Sequence, residues 1–301
     1  MRARSRSRHR ARAAFTLVEL LVALAIGLVV VAALVASYLA SAQSGRHAQA
    51  LVQLSDDGTA ALELLRVPLA MAGYAEVQGL EVREGVPHLL QRPGRAIQGC
   101  EGGRFADDRA TLDAGLACRA VTVGGWQPDA VAVAYDVRSV AGPGGAPRAN
   151  AMLGSGATPL DCAGNGLPAR SDDLGRQVRA EAHFHVESGH LYCQGPGSAG
   201  PAPLIDNVDD LQLLYGLAAG PEGGPVAAWA PAPEAGSEDW ARVVAVSVCV
   251  LLHSPERVLD PAAAASTGRY MDCGQQPRVS DDGRLRRAFS TTVLLQNGPG
   301  R

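Results

Sequence analysis

Lysine is absent from the 301 residues: all 27 basic side chains are arginine, a bias that reads as compositional drift, not chemistry. Aromatic residues are scarce at 4%, while 35 glycines and 19 prolines point to a loop-rich, β-containing body. No cysteine precedes Cys100 and no two form a CxxC pair, so a zinc ribbon has no basis here. A nucleophile elbow, an HExxH helix, a phosphate loop and a dinucleotide fingerprint are also missing. The glycine-rich string at 142–145 lacks the strand before it and the helix after it that such motifs need. The chain is therefore read as non-enzymatic, with no cofactor and no metal. Hydrophobic residues at 47% exclude a disordered protein.

Acids are missing before Glu19, whereas Arg2, Arg4, Arg6, Arg8, Arg10 and Arg12 crowd the start. Taking those six positive charges from a net −3 leaves a body at −9. Such a body lacks the positive footprint of a nucleic-acid binder, so no nucleic acid is expected to be bound directly. The arginines directly precede an apolar run and read as a cytoplasmic positive-inside signal.

That run, FTLVELLVALAIGLVVVAALVA at 15–36, contains two clearly polar side chains, Thr16 and Glu19. As a helix it spans roughly 33 Å, enough to cross a bilayer core. It is too long for a secretory signal, and the small residues Ala13 and Ala14 come before it, not after. A carboxylate inside a spanning helix costs on the order of 3 kcal/mol, so Glu19 calls for a partner. The six cysteines, Cys100, Cys118, Cys162, Cys193, Cys249 and Cys273, all lie beyond the run. An even count confined to the exported part reads as disulfides in an oxidising compartment. Pairing of neighbours (100–118, 162–193, 249–273) is the simplest connectivity, and the sequence alone does not select it.

Beyond residue 36 the pattern continues as an amphipathic helix. Leu51, Leu54, Leu62, Leu65 and Leu69 recur at helical spacings, and Pro68 is expected to kink or end the helix near residue 67. From about 75 to 130 the chain reads as irregular. Residues 129–137 alternate as a strand, and 179–193 read as a hairpin turning at Ser188-Gly189. Further strands are expected at 204–217, 241–252 and 289–296, the last following a basic turn, Arg284 to Arg287. His183, His185 and His190 invite a metal reading, but a solvated sheet face is preferred, since no acid or cysteine with metal spacing joins them. The adjacent aspartates at 56–57, 107–108, 172–173, 209–210 and 281–282 point apart on any regular element, and read as solvated loops or caps.

Ala13-Ala14-Phe15-Thr16-Leu17-Val18-Glu19-Leu20-Leu21 resembles the class III signal of type IV pilins and type II secretion pseudopilins. The strings at 207–216 (NVDDLQLLYG), 243–246 (VVAV) and 286–293 (RRAFSTTV) resemble the PilW-type minor pilins in particular. This resemblance implies prepilin peptidase cleavage between Ala14 and Phe15, with Ala14 standing where the family usually has Gly. It implies N-methylation of Phe15, and a role for Glu19 in setting the register between subunits. The implied fold class is α+β and pilin-like: a long N-terminal helix packed against an antiparallel β-sheet head. The implied organisation is a cleaved basic leader (1–14), a transmembrane and filament-core helix (15–36), its amphipathic continuation (37–70), and a disulfide-containing periplasmic head (71–301). The implied function is a minor pilin that helps initiate and cap type IV pilus assembly, with twitching motility, adhesion and DNA uptake as the associated processes. Implied partners are other minor pilins, the major pilin, the prepilin peptidase, a tip adhesin and the bacterial inner membrane. A J-type minor pseudopilin of a type II secretion system is the alternative, and a membrane-anchored periplasmic binding protein a more distant one.

Overall fold

The computed structural model describes residues 16–77, 79–90, 94–107, 110–122, 125–141, 147–149, 151, 158–172, 175–259 and 267–297. Two compact units divide at 49/50. The first consists, among the described residues, of helix alone. The second holds the last turns of that helix and all the strands.

The helix, Leu17–Met71, is continuous and apolar at its start. From Ala50 onward it buries one stripe, Ala50, Leu54, Gly58, Ala61, Leu65 and Leu69, spaced three and four apart as a helix face requires. Pro68 does not end it. The helix runs on to Met71, because Leu69, one residue past the proline, is fully buried in the core and that burial offsets the missing hydrogen bond. It terminates at Gly73, whose φ of +79° suits glycine and whose N–H donates to the carbonyl of Ala134 at 2.9 Å.

Two antiparallel sheets pack on this stripe. The six-stranded sheet runs in the order Ala202–Asp206, His190–Gln194, Gly175–Glu187, Ala130–Asp136, Ile97–Cys100, with Ala169–Asp172 pairing the first part of Gly175–Glu187. Its central hairpin turns at Ser188 and Gly189, both at positive φ (+51° and +80°), the conformation a two-residue hairpin loop needs. The four-stranded sheet runs Val226–Ala230, Val208–Ala218, Val243–Arg257, Arg284–Leu294. One core joins the inner faces of both sheets, with Phe184, Val186 and Leu191 from the first and Tyr215, Val246 and Val248 from the second against Leu54, Leu65 and Leu69. A long helix on antiparallel sheets is the pilin-like α+β architecture that the resemblance implied.

The 75–130 stretch is not irregular. It contains short strands, Gly79–Arg83, Val86–Leu90, Ile97–Cys100, Gly103–Phe105 and Cys118–Ala120, of three to five residues each. Residues 284–287 are likewise no turn but the start of Arg284–Leu294, since Arg286 is half-buried in a bed of acids.

Where the two sheets meet, Asp129 ties them. Its Oδ1 accepts from the Gly102 N–H at 2.7 Å and its Oδ2 from the Leu213 N–H at 2.8 Å, while its own N–H donates to the Leu211 carbonyl. Burial pushes its carboxyl up to about 7, against the pull of those two N–H groups, and the nearby charges of Asp210 and Glu101 add to the rise. Between about pH 4 and 7 the folded chain therefore holds a proton that the unfolded chain has lost, and this group's contribution to stability falls as pH rises through that window. Asp129→Asn removes the titration. The stability of wild type relative to Asp129→Asn, followed by thermal unfolding, is expected to fall from pH 4 to 7 by up to about 4 kcal/mol. A difference independent of pH contradicts the assignment.

On the helix, Gly58 sits against Phe289 of the last strand: a Cβ at 58 would lie 2.4 Å from the ring. Gly58→Ala is expected to lower stability by about 1–3 kcal/mol through overpacking, and Phe289→Leu in the same chain to recover part of it, both read as shifts in Tm.

Candidate functional site

The chemistry-bearing feature of the N-terminal unit is one acid in an apolar helix. The large side chains from Leu17 to Leu39 are all exposed, Leu17 at 76%, and the most apolar stretch has a mean hydropathy of 2.9 with no residue buried. By length and composition this helix is able to cross a membrane. Glu19 lies in its first turn, three residues after Thr16. Glu19 Oε2 accepts from both the N–H and the hydroxyl of Thr16 at 3.1 Å, and the Glu19 N–H donates to Thr16 Oγ1 at 3.3 Å. This T-x-x-E arrangement is a capping box, in which each residue satisfies a backbone N–H of the other. The carboxylate is thus held by its own helix end, and an acid near a helix N-terminus is favoured there by the helix dipole. Ala14 and Phe15, the expected cleavage and methylation positions, lie outside the described residues.

In the head, each cysteine bonds to the next along the chain: Cys100 to Cys118, Cys162 to Cys193 and Cys249 to Cys273. The first bridge closes a segment that lies over the outer face of the six-stranded sheet. Its Phe105, Leu112 and Leu116 pack on Ala130, Ala132 and Ala134.

This cover overturns the solvated-face reading of the histidines. His183 and His185 are only 5% and 2% exposed. His183 Nε2 lies 2.8 Å from Glu181 Oε1 and its ring is 5.2 Å from that of Phe105. His185 stacks on Tyr192 at 5.5 Å. His190 alone is outward, with Nδ1 2.7 Å from Asp206 Oδ1. Among the described residues no group of three or more His, Cys, Asp or Glu is arranged to hold a metal.

The aspartate pair 209–210 is likewise no solvated cap. Asp209 bonds both His253, at 3.0 Å, and Arg286, at 2.8 Å, while Asp210 is 3% exposed. Arg286 also bridges to Asp282, which it holds well below the usual carboxylate range. Asp129, Asp161 and Arg286 carry the polar joints of the head, and sequence reading singled out none of them for that role. Asp161 accepts from the N–H groups of Ala163, Asn165 and Gly197 and from the Ser198 hydroxyl. These joints stabilise turns and strand ends, and none places a nucleophile beside a base.

Comparison with known proteins bears on both ends of the chain. Residues 9–35 match the family model for the prokaryotic N-terminal methylation motif. Residues 178–297, from the central hairpin to the last strand, match the model for type IV pilus-assembly protein W. No curated protein matches. Among solved structures, a type IV-like pilin from Thermus thermophilus aligns over 82% of this chain and 99% of its own, at 15% identity and a TM-score of 0.39. A likeness at that score adds no argument about this chain. The methylation motif on an exposed apolar helix, together with the pilus-assembly match across the head's main strands, supports a type IV minor pilin of the PilW type.

Proposed function

We propose that this chain is a minor pilin that helps initiate and cap type IV pilus assembly. In this reading 1–14 is a cleaved leader, 15–36 first a membrane anchor and then a filament-core element, 37–70 its continuation, and 71–301 a periplasmic head. The head sits near the pilus tip with other minor pilins, above the major pilin and beside a tip adhesin. Twitching motility, adhesion and DNA uptake are the processes such a complex serves. Its role is structural, not catalytic.

A single observation carries this reading: an exposed apolar helix with one carboxylate, bonded among the described residues to Thr16 of the same helix. Cleavage before Phe15 by the prepilin peptidase leaves a new N-terminal ammonium, which methylation keeps cationic. When helices bundle out of lipid, Glu19 exchanges its bonds to Thr16 for the Phe15 ammonium of a neighbouring subunit. In a low-dielectric bundle such a pair attracts strongly, and loss of either member strands the other charge. The exchange sets the axial register.

Glu19→Ala is expected to insert in the membrane and to be processed, yet to be missing from sheared pili on immunoblots. Wild-type incorporation of this variant overturns the register role. In a deletion strain, loss of piliation supports the pilus assignment, whereas loss of exoprotein secretion with pili intact assigns the chain to a type II secretion system instead. Thr16→Val removes the capping hydroxyl while keeping the shape. With a cap worth about 1 kcal/mol, the Glu19 amide of the variant in bicelles is expected to exchange its hydrogen roughly fivefold faster.

A further inference from the structure

The edge strand of a sheet is a template for another strand unless the sequence guards it. Three of the four ends of the two main sheets are guarded. Val226–Ala230 is five residues long and lies between Pro225 and Pro231. Ala202–Asp206 contains Pro203, which has no N–H to offer. Ile97–Cys100 is four residues long and buried throughout. The fourth, Arg284–Leu294, has 11 residues and among the described residues pairs on one side only, with Val243–Arg257. Its last seven residues, AFSTTVL, contain no proline, glycine or charge. Ser290, Thr292 and Leu294 are exposed, Leu294 at 61%.

One hydrogen bond fixes which backbone groups face outward. The Leu295 N–H donates to the Val244 carbonyl at 2.9 Å, and the register sets these two residues opposite each other, next to Leu294 and Ala245. They are therefore a hydrogen-bonded pair of an antiparallel ladder, and such pairs alternate along the strands. Phe289, Thr291 and Val293 direct their N–H and C=O groups into the sheet, toward Val250, Val248 and Val246. Ala288, Ser290, Thr292 and Leu294 direct theirs away from it, at the open edge.

This stretch is complementary to itself. Reversed about Thr291, it sets Leu294 on Ala288, Val293 on Phe289, Thr292 on Ser290 and Thr291 on its own counterpart. Every outward-facing residue then meets another, so all their N–H and C=O groups pair. Aromatic with β-branched and hydroxyl with hydroxyl are cross-strand neighbours that stabilise a sheet. The arginines fall clear of one another, Arg287 opposite Leu295 and Arg286 opposite Gln296. Moving the axis to Ser290 sets Arg287 on Val293, and moving it to Thr292 sets Ser290 on Leu294, so neither fits as well. We propose that two copies of this chain associate through this edge, Ala288–Leu294 pairing antiparallel with itself about a two-fold axis at Thr291. The four-stranded sheet then continues from one copy into the other, and a pair of this symmetry closes at two copies. The proposal concerns the head and does not rest on the filament reading.

The test is the mass of the purified full-length chain in density-matched detergent, by sedimentation equilibrium, beside Thr292→Pro and Ser290→Pro. Each substitution removes an N–H that faces outward, so the ladder to Val243–Arg257 keeps its bonds. Wild type is expected to be dimeric, and each variant to have a dimer dissociation constant at least tenfold higher. A monomeric wild type overturns the proposal, as does growth beyond two copies, which a closed pair forbids. A dimer equally tight in both folded variants overturns it too, and assigns the association to the apolar helix. The register is read from single cysteines. A directly opposed pair that is not hydrogen-bonded brings its Cα atoms to about 4.5 Å, within disulfide range. Thr291→Cys is therefore expected to form an intermolecular disulfide in a glutathione redox buffer. Ser290→Cys, whose counterpart lies two residues out of register, is expected to cross-link at least tenfold more slowly. Equal rates overturn the axis at Thr291. The wild-type mass and the cross-linking decide the matter even if a proline variant fails to fold.

Discussion

Burial of one helical stripe organises the head. Leu54, Ala61, Leu65 and Leu69 supply a surface on which both sheets close. At about 25 cal/mol per Å² of apolar surface, this burial is the main driving force available, and it is non-directional. Direction comes from the fit: Gly58 lets Phe289 approach the helix, and Gly73 turns the chain out of the helix against Ala134. The same helix is apolar on all sides near its start, where the large side chains from Leu17 to Leu39 are exposed. One element thus carries two kinds of surface, one matched to the head and one matched to lipid or to other helices.

Polar groups mark the borders of that core. Asp129 holds N–H groups from both sides of the sheet junction, and Asp209, Arg286 and Asp282 knit the end of the four-stranded sheet. Removing one member of such a set leaves the others buried without a partner, which costs more than the bond itself contributed. A head fixed in this way is suited to hold a rigid surface. The Thr16–Glu19 capping box is the complementary case: its bonds are short-range and exposed, so they are easily exchanged.

Much of this was legible in the residues, and the reasons differ by element. The helix and the 243–257 strand show their period over long windows, and Ser188-Gly189 is the chemistry a tight hairpin needs. The strands between 79 and 120 escaped notice because three to five residues do not establish a period. The histidine face was misjudged because alternation along a strand shows which residues share a face, not what covers it. The cover is the Cys100–Cys118 segment, distant in sequence. Arg284 to Arg287 read as a basic turn because one of the two acids that pair with Arg286, Asp209, lies 77 residues away. The T-x-x-E string was visible throughout, but inside a hydrophobic run it stood out as a burial cost before it stood out as a cap.

The disulfides have a mechanical consequence. They close stretches of 18, 31 and 24 residues, one after another and without overlap, and none reaches the helix, which contains no cysteine. Tension applied through the helix therefore crosses into the head through the backbone after Met71 and through side-chain packing and hydrogen bonds, not through a disulfide. The bridges carry none of that load. They limit only how far the chain extends once the packing yields, so the force at which the helix detaches is set by the Leu54–Leu69 stripe and the extension afterwards by the three closed loops.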